Sequence, residues 1–145
     1  MHHAPDIAQH GIVTAGKIGK AGDVDTAAVT LTTASGKIVQ ISCSRRAAYG
    51  YDQRIEVHGS KGMLRAANQL ENTVEAATEN GFTAAPAQHF FLERYEAAYA
   101  REMQHFVEAV TAGTAPSPSI TDGLRAQMLA DAAQQSLDTG LPVKL

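Results

Sequence analysis

The hydrophobic period of this chain changes once, at Pro86, and that change limits what it can fold into. Before Pro86, apolar and β-branched residues come in short runs of period two, punctuated by turn residues. After it, Phe91, Tyr95, Tyr99, Met103, Phe106 and Val110 recur every three or four residues, which is one face of a helix from about Phe90 to Thr111. Strands gathered first and helices gathered last argue against alternating βαβ units. They imply an α+β chain with a mostly antiparallel open sheet and helices packed on one face.

Within the first part, Val24 to Thr33 sets Ala27, Val29 and Leu31 against Thr26, Thr30 and Thr32. Ala34-Ser35-Gly36-Lys37 turns into a second strand, Ile38 to Ser44, making a hairpin. Further strands are expected at Gln53 to His58, Met63 to Ala66 and Thr73 to Thr78, so five short strands form an antiparallel meander. Glu79-Asn80-Gly81 is a strong hairpin turn. In the second part, Gly113 ends the first helix. Ser119 to Asp122 matches the capping pattern S-x-x-D, and Leu124, Met128, Ala132 and Ser136 line a second helix ended by Gly140 and Pro142. Val143-Lys144-Leu145 offers an edge strand. Residues 1–21 read as an irregular segment, with strand character only at Ile12-Val13-Thr14. The glycines from Gly16 to Gly22 read as a flexible loop and not a phosphate cradle, because they lack G-x-G-x-x-G spacing and no hydrophobic strand leads in.

Composition narrows the function. A chain of 145 residues is one domain's worth and can bury a core. A net charge of −3 disfavours nucleic acid, which needs a basic field. No apolar run reaches the roughly 18 residues of a membrane span, and the first residues carry no export pattern. The single cysteine, Cys43, fits a reducing cytoplasm and reads as a buried small apolar residue rather than a nucleophile. The six histidines are scattered, so no metal site is expected. Asp6 and His10 would share a helix face if their segment were helical.

One stretch does not read as packing material. Between two strands, Ser44-Arg45-Arg46-Ala47-Ala48-Tyr49-Gly50-Tyr51-Asp52-Gln53-Arg54 collects two tyrosines, three arginines, an aspartate and a glutamine. Aromatic faces beside fixed hydrogen-bonding groups suit a small ligand with many hydroxyls, rings covering C–H surface while polar arms such as Gln53 read the oxygens. Tyr95 and Tyr99 fall on the helical stripe. They either fill the core or point into one pocket with Tyr49 and Tyr51. Arg45, Arg46 and Arg54 either serve that site or pair with Asp52, Glu56 or Glu93 at the surface.

Three blocks then resemble a known family: Gly22-Asp23-Val24-Asp25-Thr26-Ala27, the Ser44–Arg54 stretch with its Y-G-Y-D-Q-R core, and Gly59-Ser60-Lys61-Gly62. With Phe90-Phe91-Leu92-Glu93-Arg94-Tyr95, Tyr99 and Pro116-Ser117-Pro118 in matching order, the chain from about Gly22 to Leu145 is similar to the C-terminal domain of bacterial inositol 2-dehydrogenases, in the Gfo/Idh/MocA oxidoreductase family. The resemblance implies a domain that lines a cyclitol or sugar pocket with Tyr49, Tyr51, Gln53, Tyr95 and Tyr99. It further implies a cytoplasmic homo-oligomer built through the sheet, and NAD-dependent oxidation of myo-inositol to its 2-keto form by the parent enzyme.

The family's glycine-rich nucleotide fingerprint and its E-K-P segment with the catalytic lysine are absent from these 145 residues. The aspartate and histidine that the family places four apart lie upstream of the likeness, so Asp6 and His10 are not assigned that role. No catalytic residue is carried over, and this chain alone is expected to bind no NAD. Two expectations follow: a substrate-binding and oligomerisation domain that is inactive without its Rossmann domain, or a stand-alone binding or scaffold module that self-associates through its sheet.

Overall fold

The computed structural model describes the backbone of residues 6–13 and 16–145 and the side chains of residues 18–145. In chain order the elements are β1 (Asp6–Val13), α1 (Gly16–Lys20), β2 (Thr26–Thr32), β3 (Ile38–Ser44), β4 (Ile55–Gly59), β5 (Gly62–Ala66), β6 (Glu75–Thr78), β7 (Gly81–Ala84), α2 (Phe91–Ala112), α3 (Ile120–Thr139) and β8 (Val143–Lys144). They fall into two compact units, Met1–Arg46 with Ala115–Leu145, and Ala47–Thr114.

The first unit is built on a four-stranded sheet of order β3-β2-β1-β8, with every neighbouring pair antiparallel. The β2–β3 hairpin pairs without a break from Thr26↔Ser44 to Thr32↔Ile38. Its turn closes with Thr33 N–H donating to the Lys37 carbonyl at 2.9 Å. Alternation along β2 turns Leu31 and Val29 to one side, where they meet Ala132 and Leu129 of α3 and Val143 and Leu145 at the chain end. Helix α3 packs on β1 and β8.

The α3 boundaries follow their sequence signals. The Ser119 hydroxyl accepts from the Asp122 N–H, and the Asp122 carboxylate accepts from the Ser119 N–H at 2.8 Å, completing a capping box. The bond from the Ser119 backbone, with its hydroxyl next, holds the Asp122 carboxyl below the ordinary value. At the other end Gly140 takes the left-handed conformation (φ 68°) and donates to the Ser136 carbonyl. The buried Ser136 hydroxyl donates onward to the Leu141 carbonyl at 2.6 Å, turning the chain into β8.

The second unit contains two separate hairpins and one long helix. β4 pairs with β5 from Ile55↔Ala66 to Gly59↔Gly62, and β6 with β7 from Glu75↔Ala84 to Thr78↔Gly81. Helix α2 ends at Gly113, again left-handed (φ 67°).

Four expectations need correction. The segment before Gly22 is not irregular: it holds β1, an inner strand of the sheet, and the short helix α1. An extra residue in β1 between Ile7 and His10 breaks its period against β2, which hides it from a search for alternation. Asp6 and His10 therefore lie on a strand and not on a helix. The five-strand meander is instead one hairpin within a larger sheet, followed by two independent two-stranded pieces. Cys43 is exposed because β3 is the sheet edge, where all seven residues stay open. The helical stripe also exists without being a core: Ala109 is the buried residue of α2, while Met103, Phe106 and Val110 are 64%, 54% and 65% exposed.

Removing the capping hydroxyl with Ser119→Ala should cost about 1 kcal/mol. Urea unfolding should show a lower midpoint with an unchanged slope.

Candidate functional site

The stretch that joins the two units is anchored in the first by two ion pairs. Arg45 Nη2 lies 3.2 Å from Asp23 Oδ2, and Arg46 Nη2 lies 2.9 Å from Asp25 Oδ2. The Asp25 side chain is almost fully buried (2% exposed), and its carbonyl also accepts from the Arg45 N–H at 2.8 Å. Burying a carboxylate is tolerable only with such a partner. These two arginines thus pair with aspartates just before β2, not with the acids named from sequence.

Beyond Arg46 the chain belongs to the second unit and turns sharply at Gly50 (φ 124°). A Cβ there would lie 3.0 Å from the Ala87 Cβ and 3.0 Å from the Gln88 carbonyl oxygen. Only glycine lets the backbone approach the 86–88 segment this closely without strain. The next residue uses the approach, its N–H donating to the Gln88 carbonyl at 2.8 Å. On its other side, the Asn68 carboxamide donates to the Tyr51 carbonyl at 3.1 Å and accepts from the Gln53 N–H at 3.2 Å.

Side chains on this framework form two groups. In the first, the Tyr51 hydroxyl donates to the Tyr95 hydroxyl at 3.4 Å, and Tyr95 donates to Gln53 Oε1 at 2.7 Å. The Tyr51 and Tyr95 rings meet edge to face with centroids 5.5 Å apart, and Tyr99 meets Tyr95 in the same way at 6.0 Å. The Arg94 guanidinium lies over the Tyr95 ring, 5.6 Å from its centroid. The bond to Tyr95, with some desolvation, raises the Tyr51 phenol above its ordinary value. In the second group, the Tyr49 hydroxyl donates to Asp52 Oδ2 at 2.5 Å, while Arg54 grips the same carboxylate through Nε and Nη2, both at 2.8 Å. Asp52 is consequently held below the usual carboxylate value by Tyr49 and then Arg54, and Tyr49 is raised by Asp52.

Of the five residues singled out from sequence, Tyr51, Gln53, Tyr95 and Tyr99 are brought together, while Tyr49 directs its hydroxyl to Asp52. A shallow depression of about 620 Å³ lies on the Tyr49 side, lined by Tyr49, Asp52, Arg54 and Asn68 with Leu70 and Pro86. Tyr51 and Tyr95 are not in its lining. Two buried polar atoms close to the tyrosine group in sequence, Gln88 Oε1 and Arg94 Nε, have no hydrogen-bond partner among the described residues. Sequence reasoning missed Asn68 and Gln88, whose roles depend on main-chain contacts between distant segments. Among the described residues no group of three or more His, Cys, Asp or Glu could hold a metal ion, and no helix is long and apolar enough to cross a membrane.

Gly50→Ala should destabilise the protein by about 2 kcal/mol through strain at positive φ. Loss of slow exchange at the Tyr51 amide would check that the loop has left the 86–88 segment. In a spectrophotometric pH titration, Asp52→Asn should shift the Tyr49 phenol down toward its ordinary value. Subtracting the curve of Tyr49→Phe isolates that phenol.

Comparison with known proteins agrees with this architecture. Residues 7–145 match the model of the oxidoreductase family C-terminal alpha/beta domain. The chain is 54% identical over 120 residues to an inositol 2-dehydrogenase of Rhizobium meliloti, covering 83% of this chain and 36% of that protein. It is 49% identical over 129 residues to a myo-inositol 2-dehydrogenase of Thermotoga maritima, covering 89% of this chain and 39% of the relative. Among solved structures, a putative myo-inositol dehydrogenase from Sinorhizobium meliloti superposes with a TM-score of 0.90 at 46% identity, covering 98% of this chain and 43% of the other. A scyllo-inositol dehydrogenase from Lactobacillus casei, solved with NAD(H) and scyllo-inositol, gives 0.86 at 26% identity, covering 99% and 42%. The chain thus spans well under half the length of these relatives. It belongs to the Gfo/Idh/MocA oxidoreductase family, matching that family's C-terminal α/β domain.

Proposed function

We propose that this chain is the substrate-binding and oligomerisation domain of an NAD-dependent oxidoreductase acting on inositol, one that converts myo-inositol to its 2-keto form in the cytoplasm. The observation that carries the reading is the string Tyr51–Tyr95–Gln53. Because Tyr95 donates to Gln53 Oε1, the Gln53 Nε2 amide keeps both its donors for a ligand, and the tyrosine oxygens keep lone pairs to accept with. Tyr99 extends the aromatic surface beside them. Alternating C–H faces and ring hydroxyls are what such an edge can read. Tyr49, whose proton is committed to Asp52, lines the neighbouring depression, where it can serve only as an acceptor.

Oxidising a secondary alcohol takes a hydride acceptor and a base for the hydroxyl proton, and a bound nicotinamide supplies the first. The described residues do not fit a dinucleotide. β1 and β2 flank α1 as antiparallel neighbours, not as the parallel βαβ unit that presents a helix N-terminus to a pyrophosphate, and α1 has only five residues. What these residues do is bind and orient the polyol, while oxidation belongs to chain outside this segment. Self-association through the sheet is supported by β3, an edge strand with Ile38 at 71% and Ile41 at 47% exposure. That same edge favours the second reading, a scaffold module that associates without any redox role.

Two measurements test the reading. An assay of NAD reduction with myo-inositol should register no turnover by this chain, and measurable turnover would overturn its assignment as a domain without the chemistry. Calorimetry should detect myo-inositol binding that Tyr51→Ala abolishes; equal heats from both proteins would remove Tyr51 from the site.

A further inference from the structure

The most unusual contact in the second unit is made by a residue that no functional reading above uses. Asn68 lies half-buried just after β5 and spends both ends of its carboxamide on main chain: Nδ2 donates to the Tyr51 carbonyl at 3.1 Å, and Oδ1 accepts from the Gln53 N–H at 3.2 Å. One side chain thereby presents to residues 51–53 the donor and acceptor that a neighbouring strand would present. The two residues it brackets are those whose side chains form the polyol-reading edge, and Asp52 between them faces Tyr49 and Arg54 instead. From the opposite side, only the Tyr51 N–H is held, by the Gln88 carbonyl. Among the described residues, the Gln53 N–H is held by the Asn68 carboxamide alone.

We propose that Asn68 is a positioning residue: its carboxamide fixes the Tyr51–Gln53 backbone so that Gln53 Nε2 and the Tyr51 oxygen reach a polyol together, and it thereby sets the affinity of the site. This rests on the reading of Tyr51 and Gln53 as ligand-binding. It goes beyond that reading by assigning the affinity of the edge to a group that touches no ligand.

The substitution that tests it is Asn68→Asp, which keeps the shape and exchanges the donor for a titratable oxygen. When protonated, the introduced carboxyl can still accept from the Gln53 N–H and donate to the Tyr51 carbonyl. When ionised, it loses the donor and places charge against that carbonyl. The charged and titratable groups lining the same depression are Asp52, Arg54 and Tyr49, with Glu56 and Arg65 lining the next one beside Ala67. Asp52 is lowered, Arg54 raised and Tyr49 raised, so those three keep their charge state in mildly acidic to neutral solution. Wild type measured at each pH subtracts whatever the others contribute.

The full 145-residue chain, labelled with nitrogen-15, is titrated with myo-inositol at a series of pH values, following the Tyr51 and Gln53 amide resonances. At neutral pH Asn68→Asp should bind about tenfold more weakly than wild type, with both amides displaced. On acidification, affinity and resonances should return toward wild type, while Asn68→Ala stays weak at every pH. Wild-type-like binding and amide positions in Asn68→Asp at neutral pH would overturn the proposal, and so would a loss that acid does not reverse in a protein whose remaining amide spectrum is native. Failure of the underlying reading looks different: wild type would not respond to myo-inositol at any pH, and the affinity claim would fall with it even where the amides of Asn68→Asp move with pH.

Discussion

The arrangement of the Tyr49–Arg54 loop depends on one main-chain approach, that of Gly50 and Tyr51 onto Ala87 and Gln88. The missing Cβ permits it, since a side chain at 3.0 Å from the Gln88 carbonyl would push the strand of contacts apart. The hydrogen bond from the Tyr51 N–H secures it. The 86–88 segment is tied in turn to the turn after β5, with Gln88 N–H donating to the Gln69 carbonyl and Glu71 N–H to the Pro86 carbonyl. Three pieces of chain far apart in sequence therefore meet as a small irregular ladder, and backbone groups that belong to no sheet are still satisfied. Because α2 begins immediately after this seam, the position of Tyr95 relative to Tyr51 is inherited from it.

Asp52 organises the other half of the loop by charge. Its carboxylate receives two bonds from Arg54 and one from Tyr49, so it accepts at both oxygens, and its proton affinity falls accordingly. The sign for stability follows from that lowering. Whatever the cluster contributes is present above the ordinary aspartate value and fades as pH drops through the lowered one. Arg54 and Tyr49 are exposed around a half-buried Asp52, so solvent screens the cluster and it acts as a local device that holds Tyr49 in one orientation. The Tyr49 phenol, its proton committed to the carboxylate, is left with acceptor character.

Features that were legible in the sequence are those whose cause is local. The capping box at Ser119 and Asp122, the left-handed glycines at Gly113 and Gly140, and the β2–β3 hairpin each depend on residues within one or two turns of chain. The Tyr51–Tyr95 contact was legible as one of two alternatives, core filling or a shared pocket, because forty-odd residues separate the partners and periodicity alone does not choose between them. β1 was not legible: a bulge shifts its register, and Gly11 weakens its strand signal, yet it lies between β2 and β8 where ladder bonds on both sides outweigh propensity. Asn68 was not legible either. An asparagine in a loop is ordinarily a turn residue, and nothing in its neighbours says that its amide will be used fifteen residues upstream.

The helical stripe carries a different lesson. Periodicity specified the helix α2 and its apolar face correctly, but periodicity reports that a face must be covered, not by what. Within Ala47–Thr114 the coverage stops near Tyr95 and Phe91, both half-buried, and the face toward Met103, Phe106 and Val110 stays open. At about 25 cal/mol per Å² of apolar surface, leaving several large side chains in water forfeits stability that a 145-residue domain would ordinarily collect. The chain matches well under half the length of its relatives and superposes on one of them at a TM-score of 0.90. The hydrogen bonds that join Tyr51, Gln53, Asn68 and Tyr95 lie wholly inside 47–114, so their arrangement is specified within that unit.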